Sequence, residues 1–316
     1  MAFILRKRNA KRQEEKAAGG GFYRSGFFPW LLMMPTLAVL GFIGLFPFGY
    51  AIYLAGRKLI LSKMYLPNPF VGLANFQFLM QDPTFIHALF ITLVITVEAV
   101  FIQFWLGLGL ATLAQRNIRG KGFFRVCLLV PMAITPVVTG LMWRFMLYPG
   151  AGLIPYYGKQ LAQFFGRETF PELLSVNYAL QTIVAVDVWQ WTPFMFLIFL
   201  AGLASIPPEP YEAARIDGAS PWFIFRSVTL PLLRPMILIA ILIRTMDVFR
   251  IFDKVFVLTS GGPGDATETL AYYLYRSGFK FFHASRGAAI ALIALVIIVG
   301  FSFLFVKLLR KEAVIR

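Results

Sequence analysis

Six apolar runs divide the chain, over residues 28–55, 87–114, 123–148, 178–204, 232–258 and 286–308. Each exceeds the roughly 20 apolar residues that a helix needs to cross about 30 Å of hydrocarbon. Hydrocarbon offers no water to a backbone N–H or C=O, so a spanning segment has to bond within itself, as a helix does. The pattern therefore predicts an all-α polytopic membrane protein with six transmembrane helices. The composition points the same way. The 316 residues are 59% hydrophobic and 14% charged, with a mean hydropathy of +0.72, where soluble domains carry roughly 25% charged residues. A water-soluble fold of this composition would have too little polar surface to stay dissolved.

The formal net charge is +15, which raises nucleic acid as a possible partner. A nucleic-acid reader gathers its basic residues on one polar face. Here they punctuate the apolar runs, as membrane topology requires. With the N-terminus placed inside, the cytoplasmic segments hold 18 Lys and Arg residues and the outer segments hold 8. This bias predicts both termini in the cytoplasm, and it puts residues 212–235 on the cytoplasmic side. Residues 1–21 read as a basic cytoplasmic tail ending in Gly19, Gly20 and Gly21, without the apolar core of a secretory signal. A single cysteine, Cys127, excludes an intramolecular disulfide and a cysteine metal cluster. His87 and His283 lie far apart without ligand-like neighbours, so no metal site is expected.

Two polar segments have internal order. In residues 65–86, Phe70, Leu73, Phe76 and Leu79 recur at spacings of three, which predicts a short interfacial helix leading into the second span. Residues 206–231 form a loop between the fourth and fifth runs. Pro208 and Pro210 fit a first helical turn, and Tyr211 to Asp217 fit a helix. Gly218 stands where the chain must reverse, because glycine takes the left-handed conformation without steric cost. Ser220 then fits an N-cap with Pro221 at the first helical position, while Pro231 and Pro235 mark the start of the fifth span. Glu212, Ala213 and Ala214 give a small-residue face, with Arg215 in reach of Glu212. An ordinary helical connector has the same outline.

The loop resembles the cytoplasmic coupling ("EAA") loop of membrane subunits in binding-protein-dependent ABC importers. The family pattern is Glu-Ala-Ala, three residues, Gly, nine residues, an aliphatic, one residue, Leu-Pro. Glu212, Ala213, Ala214, Gly218, Val228, Leu230 and Pro231 match it in register. Asp217, Ala219 and Pro235 resemble the sugar-importer branch, and TSGGPGDATETLAYYLY (259–275) resembles the outer loop of maltose-type first permease subunits. The resemblance implies a type I ABC importer permease fold over residues 22–310, in a bacterial or archaeal cytoplasmic (inner) membrane. It implies that Glu212, Ala213, Ala214, Asp217, Gly218 and Ala219 couple the chain to an ATPase. The implied partners are a second, similar permease subunit, a dimer of ATP-binding subunits, an extracytoplasmic solute-binding protein and membrane lipid. The implied substrate is a sugar, oligosaccharide, polyol or sugar derivative. ATP and magnesium would then be bound by the partner subunit, leaving this chain without a cofactor of its own.

Charges inside the runs carry the remaining signal. They are Glu98, Arg144, Asp187, Arg244, Asp247, Arg250, Asp253 and Lys254. Ionisable residues at membrane depth are costly, so they pair with one another or face a water-filled path. Spacings of three stack Arg244, Asp247 and Arg250 along one side, where they neutralise each other. Arg144, Asp253 and Lys254 fall near the outer ends and read as snorkelling side chains. In the fourth run, Asp187, Gln190, Trp191 and Phe194 share one helical face. A carboxylate, an amide and aromatic planes suit a polyhydroxylated ligand. The family resemblance puts substrate contacts on those four residues and on Asp247, Val248 and Ile251, with Arg250 one turn from Asp247. Asp, Val and Ile stand where an aromatic and amides would serve maltose, which points away from maltose itself. Arg250 either suits an anionic or differently shaped sugar or holds Asp247.

Function classes narrow accordingly. No GxxxxGK[ST] phosphate loop occurs, so the chain is not itself the ATPase. No constellation of His, Glu or Cys suits a membrane-embedded enzyme. An ion-coupled secondary transporter is the alternative, although the inverted repeats and broken midplane helices of that class are not evident.

Overall fold

The computed structural model describes residues 27–115, 120–167 and 169–313. The expected tail, residues 1–21, and Arg116 and Arg119 lie outside the described residues. The chain divides into two units, residues 1–54 and 55–316. The first holds nearly all of helix α1 (Phe27–Ala55), which contains Pro35 and Pro47. Along it Phe42, Phe46, Tyr50 and Tyr53 stack as a ladder with ring centroids 5.5, 6.4 and 6.1 Å apart.

The second unit is built around α3 (Pro83–Ala114) and α7 (Ala179–Ser205). Asp82 caps α3, its Oδ1 accepting from the Thr84 N–H at 3.0 Å, with Pro83 in the first turn. The two helices meet closely at Gly107, where an added Cβ would come within 2.6 Å of Met195 Cβ. Small residues allow this approach where no hydrophobic effect drives helices together. Ile95, Leu108, Ile183, Met195, Phe196 and Phe199 fill the seam. The short helix α2 (Ala74–Gln81) buries Leu79 in a second cluster, with Phe85, Ala88, Ala289 and Ile290. It starts at Ala74, so Phe70 and Leu73 precede it and stay exposed.

The third run does not form one straight span. It makes α4 (Lys121–Ala133) and α5 (Pro136–Met146), bent by 96°. Pro136 supplies the reason, because it cannot donate to the turn before it and forces the preceding residue to be extended; Thr135 has ψ 145°. Among the described residues, five helices are long and apolar enough to cross a membrane, or six if the bent pair is one span.

The fifth run differs at both ends from the 232–258 expected. Its helix, α9, runs over Pro221–Phe249. Pro231 and Pro235 lie within it; a π-helical turn at Phe225–Thr229, closed by the Leu230 N–H reaching back to the Phe225 carbonyl, stands just before Pro231. The helix stops at Phe249, and Asp253–Leu258 forms a separate short helix, α10. Helix α6 (Leu153–Phe164) lies between α5 and α7, and α8 (Glu209–Ile216) between α7 and α9. Helix α11 (Leu270–Tyr275) continues into a π turn, Arg276–Lys280, before the last span, α12 (Ala284–Ala313).

Candidate functional site

Asp187 is the hub of a buried polar cluster inside the bundle. Its Oδ2 accepts from Gln103 Nε2 of α3 and from Arg244 Nη2 of α9, both at 2.8 Å. Its Oδ1 pairs with Lys254 Nζ of α10. Gln103 closes the ring, its Oε1 accepting from Arg244 Nε at 2.9 Å. Arg244 is only 1% exposed. A charge so far from water is tolerated when its donors are met by a carboxylate in good geometry. Four elements, α3, α7, α9 and α10, thus converge on one side chain. Lys254 is correspondingly not a snorkelling residue. The break after Phe249 turns it inward onto Asp187, and it is buried.

From this hub the charges step outward. Arg244 Nη1 lies 3.8 Å from Asp247 Oδ2, and Arg250 Nη2 donates to Asp247 Oδ1 at 3.2 Å. The side chains of Asp247 and Arg250 are 42% and 62% exposed. A cavity of about 200 Å³ is lined by Asp187, Trp191, Arg244, Asp247, Arg250 and Lys254, among others that include Ile251. The Arg244 guanidinium sits 5.0 Å from the Trp191 ring centroid, a cation–π contact that occupies one ring face. Asp187 offers a ligand little, since both of its oxygens are taken. Asp247 and Arg250, which bond each other, and Asp253, which lines the same cavity, have capacity to spare.

Not all the residues grouped in sequence meet here. Gln190 is fully buried and donates to the Ile134 carbonyl at 2.7 Å, in the break between α4 and α5. Phe194 packs edge-on to Trp191, 6.5 Å between centroids. Val248 belongs to the apolar core. Arg144 donates to the Val257 carbonyl at 2.7 Å, tying α5 to α10. Gln103 carries no signal in sequence, being a neutral amide in an apolar run.

The loop 259–269 is fastened to this region. Thr269 Oγ1 donates to the Ile251 carbonyl at 3.0 Å, and Thr92 Oγ1 accepts from Leu270 N–H at 2.8 Å. Beside them Glu268 is fully buried. Arg276 Nη2 lies 3.0 Å from Glu268 Oε2 but outside hydrogen-bonding geometry, so neither carboxylate oxygen has a hydrogen bond among the described residues. Burial pushes this carboxyl up to about 7; Arg276 pulls it down, and Asp265 and Asp82 push it further up.

At the other end of α7 and α9 lies the loop 206–220. Helix α8 ends in a Schellman turn, with Gly218 N–H bonded to the Arg215 carbonyl (3.1 Å) and Ala219 N–H to the Ala214 carbonyl (2.9 Å). Gly218 has φ +74°, and an added Cβ would meet nothing within 4 Å. Ser220 Oγ then accepts from Phe223 N–H at 3.3 Å and starts α9, with Pro221 in its first turn. Glu212 and Arg215 form no ion pair among the described residues; the caps alone shape the hairpin. Glu212, Ala213, Asp217 and Gly218 are exposed, while Ala214 and Ala219 are half-buried. Ile216 and Trp222 stand 86% and 69% exposed on the same hairpin.

The profile of the binding-protein-dependent transport system inner membrane components matches residues 103–312. The chain belongs to this family. It is a membrane-spanning permease subunit of an ABC importer, which leaves the ion-coupled reading without support. Among its relatives, the trehalose transport system permease protein SugA of Mycobacterium tuberculosis is 34% identical over 312 residues, 95% of this chain and 96% of that one. The trehalose/maltose transport system permease protein MalF of Thermococcus litoralis is 32% identical over 292 residues, 91% and 95% of the two chains. In fold, the permease resembles a chain of the crystal structure of a bacterial ABC transporter involved in the import of the acidic polysaccharide alginate. The TM-score is 0.76 at 19% identity, covering 96% of this chain and 99% of that one.

Proposed function

We propose that this permease subunit carries a sugar or sugar derivative and is driven by a separate ATPase through the 212–235 segment. The hairpin carries this reading. It is rigidly capped and sits between two spans, yet it leaves Ile216 and Trp222 in solvent. Large apolar side chains held out on a rigid turn fit a surface that another protein covers. Glu212, Ala213, Ala214, Asp217, Gly218 and Ala219 form the contact, both termini lie in the cytoplasm, and ATP and magnesium reside on the partner. A dimer of such ATPases, a second similar permease and an extracytoplasmic solute-binding protein complete the importer.

The substrate passes beside the fifth span, where Asp247 accepts from sugar hydroxyls, Arg250 donates to them, and Trp191 lies against the ring. Asp187, Gln190, Phe194, Val248 and Ile251 hold these groups in place. The names of the two relatives, trehalose and trehalose/maltose systems, support a sugar. Purification of the importer tests the coupling. The ATP-binding subunit co-purifies with the unaltered chain and is lost when Glu212 and Ala213 are both changed to Lys, while the second permease stays bound. Retention of the ATPase by that variant would sink the assignment. A panel of sugars, polyols and sugar acids titrated against the partner binding protein names the cargo.

A further inference from the structure

A cavity of about 330 Å³ lies among Lys58, Ile60, Val71, Asn75, Phe78 and Arg286, far in sequence from both sites above. A neighbouring one of about 250 Å³ shares Lys58 and Ile60 with it and adds Lys63 and Leu66. Their frame is built from fixed backbone contacts. Ser285 Oγ accepts from Leu59 N–H at 2.8 Å, and the Phe282 carbonyl accepts from Leu61 N–H at 2.8 Å. Phe282 holds φ +60°, a conformation that a bulky residue adopts only under constraint. Buried Asn75 donates to the carbonyls of Ala55 and Arg57, each at 2.7 Å.

Charge around the cavities has one sign. The side chains of Lys58, Lys63 and Arg286 have neither a carboxylate nor a hydrogen-bond acceptor among the described residues, and no acidic residue lines either cavity. The Arg286 guanidinium rests over the Phe78 ring at 3.8 Å, which fixes its position and leaves its donors unused. Burial, and then the positive charges of Arg286 and Lys63, hold the His283 imidazole below its ordinary value. Cations held together without a counter-ion recruit an anion. The walls between them are apolar: Ile60, Leu66, Val71 and Phe78. The site also sits beside the start of α12 and against the short helix α2, and the ends of spanning helices are where lipid headgroups meet membrane proteins.

We propose that these cavities bind the phosphodiester of an anionic phospholipid, its phosphate among Lys58, Lys63 and Arg286 and its acyl chain along Ile60, Leu66 and Phe78. The assignment rests on membrane embedding and is independent of the transport reading and of which face is cytoplasmic. Native mass spectrometry of the assembled importer, equilibrated with phosphatidylglycerol or with phosphatidylcholine of the same acyl chains, tests it. Phosphatidylglycerol is retained at least about fivefold better, the preference expected from even one cation near a lipid surface. The preference disappears in K58Q/K63Q/R286Q, persists in Arg286→Lys, and is unaffected by Lys159→Gln in helix α6. Should the triple variant fail to assemble, K58Q/K63Q alters only two exposed side chains and must still weaken the preference. Equal retention of the two lipids, unchanged preference in K58Q/K63Q, or displacement of phosphatidylglycerol by millimolar inorganic phosphate would each overturn the proposal.

Discussion

The hairpin at 206–220 and the cluster around Asp187 solve opposite problems. The hairpin is exposed and owes its shape to neighbours within a few residues: Arg215 with Gly218, Ala214 with Ala219, Ser220 with Phe223. The cluster is buried, and its partners come from far along the chain. Gln103 is 84 residues from Asp187, Arg244 is 57 and Lys254 is 67. One region is held by bonds within its own short segment. The other exists only when four helical elements are in place together.

That contrast can be broken or sharpened by substitution. Asp187→Asn leaves Arg244 and Lys254 buried without their anion, and loss of one partner from such a set costs about 3–5 kcal/mol. Thermal unfolding of the purified importer should show a large destabilisation, with a smaller one for Lys254→Met, which keeps the Arg244–Asp187 pair. Equal stability of Asp187→Asn and the unaltered protein would mean that the cluster holds nothing together. Gly218→Val forces a β-branched residue to φ +74° at a site where space is not limiting, a backbone penalty of roughly 1–2 kcal/mol or more. The expected result is loss of substrate-stimulated ATPase, with a loss of stability no larger than that penalty and smaller than that of Asp187→Asn. A Gly218→Val importer with full stimulation would show that the turn is not needed for coupling. Ser220→Ala removes one cap bond, worth about 1 kcal/mol locally, and should weaken stimulation while leaving the unfolding temperature of the bundle alone.

Glu268 offers the subtlest test, because it is buried without the hydrogen bonds that Asp187 enjoys. Its carboxyl is raised from 4.5 to about 7, so between those values the folded protein holds a proton that the unfolded chain has released. Stability from this group is present below pH 4.5 and is lost as pH rises toward 7. Glu268→Gln should flatten that slope and gain its advantage above neutrality. A slope unchanged by the substitution would place the pH dependence elsewhere.

The two regions also differ in how far the residues alone reveal them. Pro208, Gly218, Ser220 and Pro221 lie within fourteen positions and act by local rules, so the hairpin is legible down to its cap bonds. The charges of the cluster are visible, but their pairing is not. On a straight helix Arg244 and Lys254 would be separated by about 15 Å, too far to share one carboxylate. The break at 250–252 that brings them together contains no glycine or proline to announce it. The bend between α4 and α5 is announced by Pro136. The run through Pro231 is hidden, because the π turn just before it has no marker of its own.

That unbroken run has a mechanical consequence. It makes Pro221–Phe249 a single rod, about 43 Å long at 1.5 Å per residue. The capped hairpin forms one end of this rod, and Arg244 and Asp247 sit near the other. A tilt of 10° imposed at the Pro221 end would sweep the far end through roughly 7 Å, more than a full helical turn. With Pro221–Phe249 one continuous helix, a small tilt at the hairpin end becomes a displacement longer than one helical turn beside Arg244 and Asp247.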